Sequence, residues 1–386
     1  MQNKINIVAF QRPFPPSYGG VIDMYYRAKA LHDLGLYVIL HTFHYKDRSD
    51  ESPELLEIAD EVHYYNRDLG IKAHSGLLPY IVKSRQDPAL LENLVKNDAP
   101  ILFEGLHTTA YLNHESLKDR VKIVRAHNIE HNYYRALAFA PGKLSHRFFF
   151  LVEAAKLYMY ERVLRHADII ASLNTCETEH FRKKFPEAKV VFSPAFFDGT
   201  AEPVSARGDY VLYHGNMKVA ENVKSARWIL REIASRMPDV RFIFAGFAPP
   251  EHLKKEMARM PNVELYASPD DDRMGQLISD AKVHLLVTFQ STGVKLKLMN
   301  VLRRHGTVLA NNIMTAGTGL EDFCTVADTA PEMCAKLRVL LSGEQITPAL
   351  PEIYRPKQNA INLLREIDCY KPFIESAAAD MGSIHI

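Results

Sequence analysis

The 386-residue chain has only four cysteines, Cys176, Cys324, Cys334 and Cys369, and no two of them form a CxxC pair. That spacing excludes a dense disulfide framework and speaks against a structural zinc site. A reduced, cytosolic setting with the thiols as small core residues is the expectation. No run of about 18 apolar residues exists, so no spanning helix is expected. The opening MQNKINIVAF has too short an apolar run for a secretory signal and reads as a first strand. Net charge is nearly absent: 47 basic against 46 acidic side chains leave +1. That balance argues against a general nucleic-acid binder. Repeats and low-complexity tracts are also missing. So is a GxGxxG fingerprint after the first strand, which removes the main signal for a nicotinamide site.

What is present is ordinary in bulk and informative in order. Hydrophobic residues make up 47% and charged residues 24%, as in a globular protein. The length exceeds what one core supports, so two domains are expected. The first half alternates strand and helix: strands at Ile5–Phe10, Tyr37–Phe43, Val62–Tyr65, Ile101–Glu104, Val121–Arg125, Asp168–Leu173 and Val190–Ser193. Helical spacing covers Val21–Leu34, and Leu144–His166 reads as one long helix. Residues 197–208 are rich in small, turn-forming types and read as a linker. A second alternation follows, with strands at Tyr210–His214, Val240–Ala245, Val263–Tyr266, Val283–Phe289 and Thr307–Ala310 and helices between them. A helical stretch over roughly 352–379 is appended. Runs such as VRFIFAG and VHLLVTF suit parallel strands covered on both faces. The domains expected are 1–196, 208–350 and a terminal segment 351–386, with a cleft between the first two.

Four loops are the candidates to carry chemistry. After the first strand, Gln11 to Ser17 is stiffened by prolines, and Gly19 and Gly20 permit close backbone approach where a helix begins. Next, Arg125 to Tyr134 contains the H-x-x-E-H spacing of some zinc peptidases. There His127 directly follows a strand, and the helix should start near Glu130. The two imidazoles would then diverge, and His127 reads either as a cleft group that meets a ligand hydroxyl or acts in acid–base chemistry, or as a purely structural histidine. The second half opens on Gly215, Asn216 and Lys218, a turn with hydrogen-bond donors and a charge. Last comes Gln290-Ser291-Thr292-Gly293, followed by a helix opening with Lys295 and Lys297. A glycine turn, free helical N–H groups and two lysines suit a nucleoside diphosphate. Beside Lys143, His146 and Arg147, the run Phe148–Phe150 reads as a buried aromatic cluster rather than a membrane-surface helix, because an interfacial helix needs a clear apolar face.

With PFPPSYGG, RAHNIEHNYY, YHGNMKVAENV, TFQSTGVKLKLMN and GTGLE (Gly317–Glu321) in that order, the chain resembles a retaining glycosyltransferase of the GT-B fold, close to the group-1 or GT4-type family. The resemblance implies an α/β fold of two Rossmann-like domains facing a cleft, with a C-terminal helical segment crossing back to the first. It implies transfer of a hexose-type sugar from a UDP- or GDP-sugar to a glycan or lipid-linked acceptor, with no bound metal or other cofactor and no nucleic acid. Polysaccharide biosynthesis is the implied setting, and a peripheral contact with the inner face of the membrane stays open. By the same resemblance, Gly19 and Gly20 meet the donor phosphates or the acceptor, and His127 contacts the transferred sugar. Ser291, Thr292, Gly293 and Lys295 hold the diphosphate, Lys297 adds charge, and Asn300 stands where a glutamate usually binds the ribose. Gly215, Asn216, Lys218 and Gln290 complete the donor set. The chain also departs from the pattern: the usual Arg and Lys are replaced around Asn216 and Glu221-Asn222, and both acids of the E-x7-E signature are missing, at Gln290 and Asn300. A silent nucleotide-sugar binder and a sugar-nucleotide epimerase of the same architecture are the competing readings.

Overall fold

The computed structural model describes residues 3–44, 51–139, 144–198, 208–290, 293–343 and 350–375. It divides into two compact units, Met1–Asp198 with Glu352–Ile386 and Gly199–Pro351. In the first unit seven strands form one sheet: β1 (Lys4–Ala9), β2 (Tyr37–His44), β3 (Glu61–Asn66), β4 (Ile101–Glu104), β5 (Lys122–Ala126), β6 (Ile169–Ser172) and β7 (Lys189–Phe192). Their order is β3-β2-β1-β4-β5-β6-β7, and every pairing is parallel. The second unit has six: β8 (Tyr210–His214), β9 (Arg241–Gly246), β10 (Val263–Ala267), β11 (Val283–Leu286), β12 (Val308–Ala310) and β13 (Thr325–Val326). These run β10-β9-β8-β11-β12-β13, again parallel throughout.

Parallel pairing follows from the sequence runs. Strands β4, β5, β6, β8 and β11 are buried at every residue, which only a sheet covered on both faces allows. In both sheets the chain order reverses beside the first strand, at β1/β4 and at β8/β11. Ligands of open α/β sheets bind beyond the carboxyl ends of the strands at such a switch point. The topology therefore marks two places on the molecule before any side chain is considered.

The C-terminal helix Pro356–Arg365 belongs to the first unit and closes its core. Ala360, Ile361, Leu363 and Leu364 pack in one cluster with Ile5, Ile7, Val21 and Leu31. Polar pins fix its register: Asn359 donates from Nδ2 to the Pro194 carbonyl at 2.8 Å and accepts from Ser193 Oγ at 2.9 Å. The expected long helix is helical over Leu144–Tyr160 and continues as a 3-10 turn through Glu161–His166. The helix Ala330–Ser342 and the two-residue strand β13 have no counterpart among the elements expected from sequence.

Candidate functional site

At the β1/β4 switch point the first unit holds a buried charge network. The helix Gly19–Asp33 places Asp23 and Arg27 one turn apart, both fully buried, on the face turned to the sheet. Arg27 donates from Nε to Glu104 Oε1 at 2.9 Å and from Nη2 to Oε2 at 2.5 Å; its Nη2 also lies 3.0 Å from Asp23 Oδ2. Arg125 on β5 grips Asp23 through Nε and Nη2, each at 3.1 Å, and donates from Nη2 to the Pro194 carbonyl at 3.1 Å. Two carboxylates and two guanidiniums thus balance. Burial would raise the Asp23 carboxyl, but Arg125 and Arg27, helped by His127, hold it well below the usual carboxylate range. Removing one member of such a network leaves a buried charge unpaired, at a cost of about 3–5 kcal/mol.

His127 sits just past β5 and is bound to this network. Its Nε2 lies 3.0 Å from Glu104 Oε2. A carboxylate can only accept, so the bond assigns the hydrogen to Nε2. Nδ1 then faces the start of the Gly19–Asp33 helix, where a Cβ on Gly20 would sit 3.7 Å from it and 3.2 Å from the Phe10 ring. Gly20 is therefore small for a packing reason: it lets the helix approach His127 and Phe10. The ring of Phe10 meets His127 edge-on at 5.5 Å and stacks on His107 at 4.9 Å. Beside it, the proline-rich loop and the end of β2 enclose a small polar cavity of about 120 Å³ between Arg12, Phe14, Ser17 and His44.

The second histidine of the H-x-x-E-H spacing turns elsewhere. The helix Glu130–Phe139 begins at Glu130, and His131 Nδ1 pairs with Glu161 Oε1 at 3.3 Å. His127 and His131 therefore do not share a ligand position. Among the described residues, one group of three potential metal ligands lies close together, Asp23, Glu104 and His127. Both of its carboxylates are already engaged by guanidinium groups, a poor donor set for a cation. Three residues after His127, Glu130 is buried with Oε1 unpaired, and burial pushes its carboxyl up to about 8. Burial likewise raises Glu177, at the start of helix Thr175–Lys184, to about 7.

At the β8/β11 switch point the second unit gathers lysines. The chain leaves β11 through Val287–Gln290 and enters the short helix Leu296–Leu302, with Lys295 at its cap and Lys297 in its first turn. Lys295 donates to the Gln290 carbonyl at 2.7 Å. Lys297 donates to Asn222 Oδ1 at 2.6 Å and lies 5.0 Å from the centre of the Tyr213 ring. Asn222 in turn donates to the Asn216 carbonyl at 2.7 Å. Gly215 leaves room for this arrangement, since a Cβ there would lie 2.6 Å from Lys297 Nζ. Burial lowers both ammonium groups to about 8, against the pull of Glu221, and Lys295 pushes Lys297 further down.

Glu221 organises the loop. Its Oε1 accepts from the Phe289 N–H at 2.6 Å and from Thr288 Oγ1 at 3.3 Å, while Asn311 brackets Thr288 through Oδ1 and Nδ2. The structure thus brings Gly215, Asn216 and Lys297 together through Asn222, and joins Lys295 to Gln290. Lys218 is exposed, and its ammonium lies 4.9 Å over the Phe247 ring. Gly293 takes a left-handed conformation, φ 88°, and Asn300 is half-buried on the helix. Ser291 and Thr292 lie outside the described residues. The partners Asp23, Arg27, Glu104 and Arg125 were not singled out from sequence. Charged residues inside otherwise apolar segments, as in ILFE and VKIVR, are the signal that points to them.

Comparison with known proteins agrees with the topology. No protein-family model matches the chain. It is 26% identical over 338 residues to an uncharacterized 44.6 kDa protein in the cps region of Klebsiella pneumoniae, covering 82% of this chain and 84% of that protein. Among solved structures it is similar to an S. aureus TarM mutant in complex with fondaparinux, alpha-GlcNAc-glycerol and UDP, at TM-score 0.61 and 11% identity, with 99% of each chain covered. Anabaena HepE in complex with UDP and glucose gives 0.58 and 14%, covering 98% of this chain and 99% of that one. WaaG, a glycosyltransferase involved in lipopolysaccharide biosynthesis, gives 0.56 and 12%, covering 97% and 98%. At these identities the likeness concerns architecture, and the architecture is plain: this chain has the GT-B fold, an α/β arrangement of two parallel-sheet domains.

Proposed function

We propose that this protein transfers a sugar from a nucleoside-diphosphate sugar, UDP- or GDP-linked, to a glycan or lipid-linked acceptor, with retention. The observation that carries the reading is the pair of half-buried lysines at the β8/β11 switch point of a GT-B fold. In this reading Lys295 and Lys297 neutralise the diphosphate as it departs, which is electrostatic stabilisation of the leaving group. The bond from the anomeric carbon to the diphosphate oxygen breaks, the acceptor oxygen takes its place on the same face, and the acceptor proton passes to the departing diphosphate. His127, with Nε2 engaged by Glu104, is proposed to meet the sugar or acceptor through Nδ1. Gly19, Gly20, Gly215, Asn216, Lys218, Gln290, Ser291, Thr292, Gly293 and Asn300 are proposed to complete the contacts. No resident cofactor is required, and the cytoplasm is the proposed location.

A silent nucleotide-sugar binder is the second reading. It is favoured by amides at Gln290 and Asn300 in place of the usual carboxylates, and by the Glu221 carboxylate beside the lysines. One experiment separates the two: thermal shift with UDP- and GDP-sugars, followed by product analysis with and without glycan acceptors. Ligand binding to the native state raises Tm, so no shift at millimolar donor would refute the donor site. Binding without any transfer or donor hydrolysis would favour the second reading. In Lys295→Ala the donor-induced shift should shrink.

A further inference from the structure

Exposed large hydrophobic side chains are not scattered evenly over this molecule. Seven of them, Phe139, Leu144, Phe148, Leu151, Val152, Tyr158 and Met159, fall within one helical hairpin made of Glu130–Phe139 and Leu144–Tyr160. At 100° per residue, positions 144, 148, 151, 152, 155, 158 and 159 share a stripe about 120° wide along the second helix. Its other face carries the buried Glu153, Ala154 and Leu157. The aromatic run is split accordingly. Phe150 turns inward, packing edge-on to Tyr134 at 5.8 Å, whereas Phe148 is 70% exposed. The clear apolar face that an interfacial helix needs is therefore present, and it points outward.

Charge on the hairpin is equally one-sided. The three acids between residues 130 and 166, Glu130, Glu153 and Glu161, are all buried. Glu153 is tied to Lys156 at 2.9 Å and to the Tyr80 N–H at 2.6 Å, and Glu161 is bound by His131 and Lys184. Arg135, Arg147, Arg162 and Arg165 are exposed. Arg147 lies 5.7 Å from the exposed Phe139 ring and donates to the Ala138 carbonyl at 3.0 Å, so a cation is fixed beside the stripe. The surface thus presents apolar side chains flanked by positive charge and no exposed carboxylate among its described residues.

We infer that this hairpin docks on an anionic lipid bilayer, with the 144–159 stripe set into the headgroup–acyl boundary and the arginines on acidic headgroups. Apolar face plus basic flank is the pairing that holds a helix in the plane of a membrane. The helix lies on the bilayer and does not cross it: no described helix is long and apolar enough to span. The charge decides between occupants. A second copy of the chain would bring the same arginines against themselves, whereas an acidic bilayer complements them. The inference stands on the hairpin alone and not on the sugar-transfer reading.

The test is flotation of the full chain with vesicles of phosphatidylcholine alone and of phosphatidylcholine with about one-third phosphatidylglycerol. Binding to the anionic vesicles is expected, and it should weaken with added salt. Phe148→Ser with Leu151→Ser should reduce binding by about tenfold or more through lost apolar burial. Arg135→Gln and Arg147→Gln should each reduce it roughly fivefold. Phe148 and Arg135 are exposed and Leu151 is partly covered, and an unchanged Tm confirms that each variant is folded. Their donor-induced Tm shift should also be unchanged, so failure of the donor site and failure of this face are read separately. The inference is overturned if the wild type ignores anionic vesicles, if the serine variant binds as the wild type does, or if the wild type is a dimer that the serine substitutions dissociate.

Discussion

Raising the pH should loosen a nucleoside diphosphate from the second unit while tightening the empty protein. Lys295 and Lys297 fall from the ordinary 10.5 to about 8, because burial penalises the charged ammonium more than Glu221 restores it. With a pKa of about 8, the charged fraction of each drops from about nine-tenths at pH 7 to about one-tenth at pH 9. If only the ammonium form holds the diphosphate, affinity falls by about tenfold per lysine across that range, and by up to about a hundredfold for the pair. Binding near pH 8 must then take up protons. The empty protein responds in the opposite sense. Between 8 and 10.5 the unfolded chain binds more protons than the folded one, so stability rises with pH there; it is fully present above 10.5 and lost as pH falls through 8. Titration calorimetry with a UDP-sugar, in two buffers of different ionisation enthalpy, measures both affinity and proton uptake. Lys297→Met should remove part of the uptake. Affinity that stays flat or rises from pH 7 to 9, with no proton uptake, would refute the assignment of these lysines to the diphosphate.

Two further outcomes rest on packing and burial. Gly215→Ala places a methyl 2.6 Å from Lys297 Nζ, the far end of a flexible side chain, whereas Gly246→Ala places one 1.9 Å from the Gly215 carbonyl oxygen. The first should leave Tm within a few degrees and weaken nucleotide binding; the second must displace backbone and should cost about 3 kcal/mol or more, read by urea unfolding. Equal destabilisation in both would contradict that account. Glu130 is raised by burial from 4.5 to about 8, so the folded state binds the extra proton: its contribution is fully present below 4.5 and is lost as pH rises through 8. Glu130→Gln should therefore flatten the loss of stability between about pH 6 and 8.5, by up to a few kcal/mol. A variant with the wild-type slope would place the titration elsewhere.

The alternation of elements was legible because parallel strands buried on both faces must be continuous apolar runs, and VRFIFAG and VHLLVTF are such runs. The start of the helix at Glu130 was also legible, since His127 directly follows the strand expected at Val121–Arg125 and so falls in the connecting loop. Strand β13, two residues long, carries too little pattern to be read. The buried network was not legible, because the helix carrying Asp23 and Arg27, Glu104 on β4 and Arg125 on β5 are far apart in the chain and become one unit only when that helix packs on the sheet. Phe148–Phe150 shows the limit most clearly. Three consecutive phenylalanines look alike in sequence, yet a helix spreads them over about 200°, so Phe150 packs on Tyr134 while Phe148 meets solvent.

By itself, the sequence determined the fold class and the two switch-point loops, because strand spacing, glycine turns and lysine placement are local properties of the chain. Only the tertiary structure decided which groups act together. It bound His127 to Glu104, seated Lys297 over Gly215 and Asn222, and set Glu221 across the β11 exit, since charge and hydrogen bonding act through distances in space that no sequence separation prescribes. It also decided that the aromatic helix turns an apolar stripe outward, because which face is buried depends on what packs against it.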